Sequence, residues 1–427
     1  MTKKALFSVI AIALVALVAV PLLAACGEAE VAPPGPPAKD KITVGMSRAL
    51  SGPLAIIGDS AFKVIYDTLV PIWNDEGGIY IEEYGKKLPI ELVIYDDKSD
   101  VGTMTRLTEK LILEDKVDFL WPACGTAFIF GQAPIANKYG YLHLTAEGGA
   151  TSIKEALPTL PYTFVSLSFS DWYEMPVLAD MLAAKGAKTA YVTYIADLHG
   201  IEYSGVSGIE FSRVGIKVLG NVSLPPDLKD FAPVILEAQK SGADAFCCFG
   251  YPDQVMPVTG TALALGYNPK AFICGPGANF GFYHTTFGPA VEGVCGFTTF
   301  ARNQSPELDE VADILYAGKP EELQDWWGHA LYWGAFDYWK QAVEKAGTID
   351  QDKIREIFAT EHFDSVLGDT SFTLIGGGGG LMAKESHPGE IGQWQNGVFE
   401  VVGGGPWPNT KLTADFIYPK PAWPAPQ

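Results

Sequence analysis

The sequence has few basic residues and few cysteines. It contains 30 Lys and Arg against 50 Asp and Glu, which gives a formal net charge of −20 at pH 7. No long basic run offsets this charge, so we expect neither nucleic acid nor anionic lipid headgroups as partners. The six cysteines include no CxxC pair and the six histidines show no metal-ligand spacing. We therefore predict no structural zinc site and no cofactor.

Patterns that carry catalysis are also missing. The chain has no Gly-x-Ser-x-Gly, no P-loop and no HExxH motif. Asp96 and Asp97 look like an acid pair, but adjacent residues of a strand point to opposite faces, so only one can enter a cleft. Asp197 and His199 come nearest to a catalytic pair, but no sequence motif links a nucleophilic serine or cysteine to them. We therefore predict that the protein is not an enzyme.

The first 26 residues have the pattern of an export signal. Lys3-Lys4 gives a basic start, and residues 5–23 are apolar almost throughout. Such a run is long enough to span a membrane. Leu23-Ala24-Ala25-Cys26 resembles a bacterial lipobox, whose cysteine is acylated and becomes the mature N-terminus. We predict a signal peptide over residues 1–25 and a lipid anchor on Cys26, with an uncleaved helical anchor as the alternative.

A Pro-rich segment follows Cys26. Pro33-Pro34-Gly35-Pro36-Pro37 buries no apolar area, so we expect residues 26–40 to form an extended tether. About 385 residues remain, more than one core holds, since cores stop growing near ~250–300 residues. We expect two lobes, with a frayed Pro-rich tail at 413–427.

The five later cysteines are an odd number, so at least one is unpaired within the chain. Cys247 and Cys248 lie in Ala245–Phe249, which we interpret as a buried strand with small core residues.

Strand-like and helix-like segments alternate in two stretches. The first stretch has predicted strands at 42–45, 91–96, 118–121 and 141–144, and helices at 59–76, 103–114 and 131–138. The second has predicted strands at 189–194, 217–222, 245–249 and 271–274, and helices at 172–184, 205–214, 231–240 and 253–264. This alternation indicates two α/β lobes with parallel sheets. Helices at 325–346 and 351–359 and a hairpin around Asn396-Gly397 are predicted to follow.

Small or polar loops follow six of the predicted strands. They are residues 50–59, 121–126, 145–149, 196–200, 250–253 and 275–279. Ligands of open parallel sheets bind outside the carboxyl ends of the strands. Each loop alone is equally well explained as an ordinary turn, but together they predict a cleft. Gly125-Thr126, just before a helix, is the best candidate for an anion cradle.

Several short motifs, in this order and spacing, carry a family resemblance. They are Ser51-Gly52-Pro53 with Gly58, Tyr95-Asp96-Asp97, Gly250-Tyr251, Gly275-Pro276 and the hairpin 392–402. Over about residues 41–405 the chain resembles the branched-chain amino-acid (Leu/Ile/Val) family of ABC-importer solute-binding proteins. The resemblance implies a type I periplasmic-binding fold: two Rossmann-like α/β lobes with parallel sheets, joined by a hinge of three crossovers near Tyr162, Thr299 and Gly368. It implies a first lobe of 41–162 and 300–368 and a second lobe of 163–299 and 369–412.

The resemblance also implies ligand-binding residues. Thr126 and the backbone amides around Gly125 match a loop that holds a ligand carboxylate. Tyr251 matches a tyrosine that covers the ligand, and His199 stands where a second aromatic often sits. The neighbouring loop residues Pro122, Ala146 and Gly148 complete the expected wall.

The sequence departs from the family pattern at three positions. Glu147 replaces a small residue and would repel a ligand carboxylate. Gly277 stands where the family's acid meets the ligand ammonium, and Ile57 stands where a polar or aromatic residue is expected. Either Glu147 or Asp253 supplies the acid, or the ligand is not an α-amino acid.

Tryptophans and tyrosines near these loops could stack on a planar or cationic solute. Tyr251, Trp121 and Trp327 are the candidates. Trp326, Trp333 and Trp339 fit better as packing residues of the long helix.

The resemblance implies an extracytoplasmic, lipid-anchored receptor. It would act as a monomer, capture a small polar organic solute (an amino acid or related compound) by hinge closure, and deliver it to the permease subunits of an ABC importer. The alternative is a ligand sensor, or an envelope docking or regulatory lipoprotein of the same fold, that binds an amide or an aromatic compound.

Overall fold

The computed structural model describes residues 38–148, 151–167, 174–383, 385–386, 389–404 and 411–424. The predicted signal peptide, Cys26 and nearly all of the tether lie outside the described residues.

Two sheets whose strands come from both ends of the chain form what we call the first lobe. One is parallel, with strand order Ile90–Asp96, Ile42–Arg48, Phe119–Leu120. The other has the order Phe372–Leu374, Gly380–Met382, Thr163–Val165, His143–Thr145 and is parallel except at its first pair. The inner strands, such as Ile42–Arg48, Thr163–Val165 and Gly380–Met382, are buried almost throughout, as strands covered on both faces must be, whereas Ile90–Asp96 and Phe372–Leu374 at the sheet edges are partly exposed.

One seven-stranded sheet forms what we call the second lobe. Its order is Val398–Gly403, Glu390–Gln395, Val294–Thr298, Ala271–Gly275, Ala245–Phe249, Thr189–Ile195, Lys217–Leu224. The pairs are parallel except those made by the first two strands, which form the predicted hairpin. Asn396 and Gly397 have φ of 53° and 79°, the left-handed conformation that a tight hairpin turn requires. Two antiparallel ribbons complete the strands, Ile79–Ile81 with Lys86–Leu88 and Phe363–Ser365 with Gly368–Thr370.

Helices alternate with these strands. They are Ala55–Ile57, the π-helical turn Gly58–Lys63, Val64–Asp75, Val101–Leu113, Thr126–Lys138, Ile153–Ala156, Met175–Ala184, Leu198–Arg213, Ala232–Ser241, Pro252–Leu265, Gly281–Phe287, Pro306–Tyr316, Gly328–Ala346 and Gln351–Thr360. Among the described residues, none of these helices combines the length and the apolar character needed to cross a membrane. The predicted α/β class with mostly parallel sheets is confirmed.

Helices Leu198–Arg213 and Thr126–Lys138 begin seven and five residues earlier than predicted. The Asp197 side chain accepts a hydrogen bond from Gly200 N–H at 2.9 Å and starts helix Leu198–Arg213. Gly125, with φ of 95°, starts helix Thr126–Lys138. Both helix N-termini therefore lie at the carboxyl edge of a sheet, where they can contact a ligand.

The strand pairings show to which lobe the segments near the predicted boundaries belong. Thr163–Val165 pairs with His143–Thr145 and with Gly380–Met382, so the chain is still in the first lobe after Tyr162 and again after Gly368. Val294–Thr298 is the last strand of the second lobe before the segment that contains Thr299. The exact residues at which the chain changes lobe stay a prediction.

The expectation of a frayed tail is wrong for residues 413–424. Lys420 N–H donates to Lys270 O at 2.8 Å, and Trp423 Nε1 donates to Tyr267 O at 2.5 Å. Phe416 is buried against the second lobe. Aromatic side chains between the prolines supply the apolar area that holds this segment down.

The cysteines and tryptophans pack as the sequence indicated. All five described cysteines are buried and free: Cys124, Cys247, Cys248, Cys274 and Cys295. Trp326 and Trp339 are buried, and Trp333 packs against the same core. Trp121 packs on Trp339 inside the first lobe, which removes it as a stacking partner for a solute.

Candidate functional site

A cavity of about 50 Å³ lies between the loops at the carboxyl ends of the strands of both lobes. We call it the cleft cavity. The predicted residues that line it are Ile57, Gly125, Thr126, Glu147, Gly148, His199, Tyr251 and Trp327. The structure thus brings together loops from both lobes and the segment before helix Gly328–Ala346.

Four predicted residues do not line the cleft cavity. Pro122 and Ala146 are buried behind its wall in the first lobe. Asp253 is exposed in the first turn of helix Pro252–Leu265. A Cβ on Gly277 would lie 2.6 Å from Val255 Cγ1, so this position has no room for an acidic side chain.

Glu147 fills the predicted anion cradle with its own carboxylate. Gly125 N–H donates to Oε2, and the Tyr332 hydroxyl donates to Oε1. Glu147 N–H also donates to Thr145 Oγ1 at 2.9 Å, which fixes the loop. The helix N-terminus that would attract an anion therefore already holds one.

Arg48 is the counter-ion of Glu147, and sequence reasoning missed it. Its Nη2 lies 3.6 Å from Glu147 Oε1, its Nη1 donates to Pro122 O at 2.9 Å, and its guanidinium lies 3.8 Å from the centre of the Phe62 ring. Both charged side chains are nearly inaccessible to solvent, at 1% and 7% exposure. An arginine that ends an otherwise uncharged strand, Ile42–Arg48, was the available signal.

Asp325 is the acid on the opposite side of the cleft cavity. It is fully buried, and its Oδ1 accepts hydrogen bonds from Asn279 Nδ2 at 2.8 Å and Trp327 N–H at 3.0 Å. Within the described part of the chain, Oδ2 has no hydrogen-bond donor in good geometry. Burial, with a smaller contribution from the Glu147 charge, raises the pKa of Asp325 to about 6, although hydrogen bonds from Gly328 N–H, Trp327 N–H and Asn279 lower it.

Aromatic rings form the second-lobe wall. His199 stacks on Tyr251 with ring centres 5.0 Å apart and contacts Tyr203 at 4.5 Å. Burial lowers the pKa of His199, so the ring is neutral. Its Nε2 has no hydrogen-bond partner among the residues that the structure describes.

A third carboxyl group lies behind this wall. Glu174 is fully buried and accepts hydrogen bonds from the Tyr203 hydroxyl at 2.5 Å and from Trp327 Nε1 at 3.1 Å. Burial raises its pKa to about 7. Glu174 thus fixes two of the rings that line the cleft cavity, Tyr203 and Trp327, and no sequence pattern indicates this role.

Contacts join the two lobes across the cleft. Thr126 of the first lobe and Tyr251 of the second both lie in the wall of the cleft cavity. At a second point, the Glu202 carboxylate accepts hydrogen bonds from Thr151 N–H at 2.6 Å and Ser152 N–H at 3.0 Å. This conformation is therefore closed, with the cavity enclosed between the lobes.

The structure offers no catalytic couple at this site. Asp197 uses its carboxylate to cap a helix, and Asp96 accepts hydrogen bonds from Leu50 N–H, Ser51 N–H and the Ser51 hydroxyl. Among the described residues, no group of His, Cys, Asp and Glu is arranged to hold a metal ion. The arrangement can enclose a small solute and hold it through polar atoms and aromatic rings.

Known proteins with this sequence pattern and this fold bind solutes. Residues 41–396 match the family model described as periplasmic binding protein. The leucine-, isoleucine-, valine-, threonine- and alanine-binding protein of Pseudomonas aeruginosa is 23% identical over 336 residues, which cover 78% of this chain and 86% of that protein.

Two solved structures show the same fold at low sequence identity. A solute-binding protein of an ABC transporter from Rhodopseudomonas palustris HaA2, in complex with p-hydroxybenzoic acid, is 19% identical with a TM-score of 0.72 and covers 90% of this chain and 99% of that one. The leucine-binding protein LivK of Thermotoga maritima MSB8 is also 19% identical, with a TM-score of 0.71 and coverage of 86% and 99%.

The family match extends over most of the chain, from the first described strand to the hairpin turn. It confirms the predicted resemblance and the type I periplasmic-binding fold, and it implies an extracytoplasmic location. Proteins of this family are substrate-binding proteins of ABC transporters and not enzymes. The chain belongs to the periplasmic binding protein family.

Proposed function

We propose that this protein captures one small organic solute between its lobes and delivers it to the permease of an ABC importer, while lipid on Cys26 holds it at a membrane. The observation that carries the proposal is the cleft cavity, which is enclosed by loops of both lobes, with Thr126 of one lobe and Tyr251 of the other in its wall. The names of the relatives support it, since they describe proteins that bind amino acids or an aromatic acid.

Hinge closure is the mechanism that fits this site. A solute in the cavity touches both lobes only when they are closed, so its binding shifts the population toward the closed form. The closed form brings Glu202 against Thr151 and Ser152, and this joined surface is what a permease would recognise. A lipid anchor and an extended tether would raise the local concentration of the receptor beside the permease.

A thermal-shift screen of the purified chain tests the solute-binding function. The panel holds aliphatic and aromatic amino acids, amides, aromatic acids and organic amines. A solute present at about a hundred times its Kd adds roughly 2.7 kcal/mol to the free energy of unfolding, so we expect one class to raise the melting temperature by several degrees.

Tyr251→Ala is the control, because this ring lies in the cavity wall and stacks on His199. We expect the variant to lose most of the shift. If no solute raises the melting temperature of the unchanged protein, the receptor function is contradicted, and a docking or regulatory role becomes the better proposal. If Tyr251→Ala keeps the full shift, the solute binds elsewhere.

A further inference from the structure

The proposed function leaves the chemical class of the solute open, and the inference below rests on that function. The first lobe has a site built for an anion, at the N-terminus of helix Thr126–Lys138. That site is already occupied by Glu147, which accepts hydrogen bonds from Gly125 N–H and the Tyr332 hydroxyl. Its charge is balanced by Arg48, which is buried behind it. The carboxylate bound at this helix N-terminus is thus that of Glu147, a residue of the protein itself.

A carboxylate on the solute would meet a second carboxylate here. Glu147 and Arg48 are both buried, and Arg48 is held by Pro122 O and the Phe62 ring, so neither side chain has a solvated position within the wall. Two like charges at close range in a site without water repel strongly. An acidic solute therefore binds only if Glu147 leaves the cradle.

The second charged group in the wall, Asp325, favours a cation as its partner. The Asp325 carboxylate is surrounded by neutral donors, Asn279 Nδ2 and the N–H groups of Trp327 and Gly328, and the lining of the cleft cavity contains no lysine or arginine among the described residues. Arg48, which is buried close behind the wall, is paired with Glu147. A buried carboxylate without a counter-ion is costly, so an ammonium group next to Asp325 would be stabilised in the closed cleft.

The remaining wall suits an organic cation. Tyr251 and Trp327 present ring surfaces, and aromatic faces attract a cation that has left water. His199 Nε2, which has no partner within the described part of the chain, is available to a second polar group of the solute. Gly277 is packed against Val255, so the second lobe supplies no acid there, and Asp325 takes that role.

We propose that the cleft takes a small organic ammonium compound without a carboxylate group, with Glu147 as a built-in occupant of the anion cradle and Asp325 as the partner of the ammonium. Glu147 thereby excludes amino acids and aromatic acids, and Asp325 selects amines.

Removing Glu147 tests the first half of the proposal. Glu147→Ala leaves Arg48 without a counter-ion next to an empty cradle, so we expect a lower melting temperature that acetate or benzoate restores and acetamide does not. Glu147→Gln is the matched control: its amide fills the cradle, so it should lose stability without rescue by acetate. Equal responses of the two variants to acetate would overturn the role of Glu147.

Binding of matched probes tests the second half. Benzylamine, benzamide and benzoate share one ring and differ in charge, and leucine adds an amino acid. In the unchanged protein we expect benzylamine to bind at least about tenfold more tightly than the other three, since only its charge complements Asp325. Asp325→Asn, which keeps the shape of the side chain, should remove most of this preference.

The outcomes separate the two proposals. Tight binding of benzoate or leucine to the unchanged protein would overturn the ammonium inference and leave the solute-binding function intact. An unaltered preference in Asp325→Asn would also overturn it. No binding of any probe, together with no response in the thermal-shift screen, would contradict both.

Discussion

Replacing Arg48 with methionine is expected to lower the free energy of unfolding by about 3–5 kcal/mol, because it leaves the buried Glu147 carboxylate without its counter-ion. Arg48 is 1% exposed and contacts Glu147, Pro122 and the Phe62 ring at once. Methionine keeps much of the side-chain volume, so the loss measures the charge and its hydrogen bond more than a cavity. Urea denaturation at pH 7, followed by tryptophan fluorescence, gives the value.

Two variants show whether the pair is the cause. Arg213→Met removes an arginine whose ion pairs with Asp180 and Glu210 are exposed to solvent, and it should cost about 1 kcal/mol or less. The double variant Arg48→Met with Glu147→Met should regain most of the stability, because no buried charge is left unpaired. A cost for Arg48→Met as small as that for Arg213→Met would contradict the pairing.

Replacing Cys26 with alanine is expected to release essentially all of the protein from the membrane into the soluble fraction. The acyl chains proposed at this residue hold the protein because each buried methylene contributes about 0.8 kcal/mol, and several chains together anchor it stably. Labelling of cells with a radioactive fatty acid, followed by membrane fractionation, measures both attachment and location.

Cys295→Ala is the matched control for this change. Cys295 is free and buried in the seven-stranded sheet, so its loss should alter neither labelling nor location. If the Cys26→Ala protein stayed with the membrane and the unchanged protein took up no label, the uncleaved helical anchor would be the better explanation.

The fold was predictable because its signals are local. Alternating strand and helix patterns, the Asn396-Gly397 turn and apolar strands such as Ala245–Phe249 each follow from a few neighbouring residues. The differences arose where a polar residue caps a helix, as Asp197 does, and where aromatic residues between prolines hold down the C-terminal segment.

The site was predictable only in part, because its charges are paired through tertiary contacts. Gly125, Thr126, His199 and Tyr251 stand at strand ends, and the rule for open sheets finds them. Arg48 looks like the end of a strand in the sequence, and its partner Glu147 lies far along the chain.

Two further residues of the cavity wall, Tyr332 and Asp325, could not be recognised as site residues from the sequence. Tyr332 lies in a helix whose aromatic residues are typical of a hydrophobic core. Its hydroxyl donates a hydrogen bond to Glu147, which is distant in the sequence. Asp325 precedes the same helix and looks like an ordinary start residue. Asp253, which was one of the two candidate acids together with Glu147, lies in the first turn of its helix and is exposed to solvent.

The distance between the lobes, measured with and without solute, tests the central claim most directly. All described cysteines are buried, so spin labels on Glu155→Cys and Gly205→Cys, in a Cys26→Ala background, would report the two sides of the cleft selectively. With the solute that most raises the melting temperature, we expect double electron–electron resonance to show a broad distribution of distances collapsing to one short distance, and no such change after Tyr251→Ala. The same distribution with and without that solute would contradict capture by closure of the lobes.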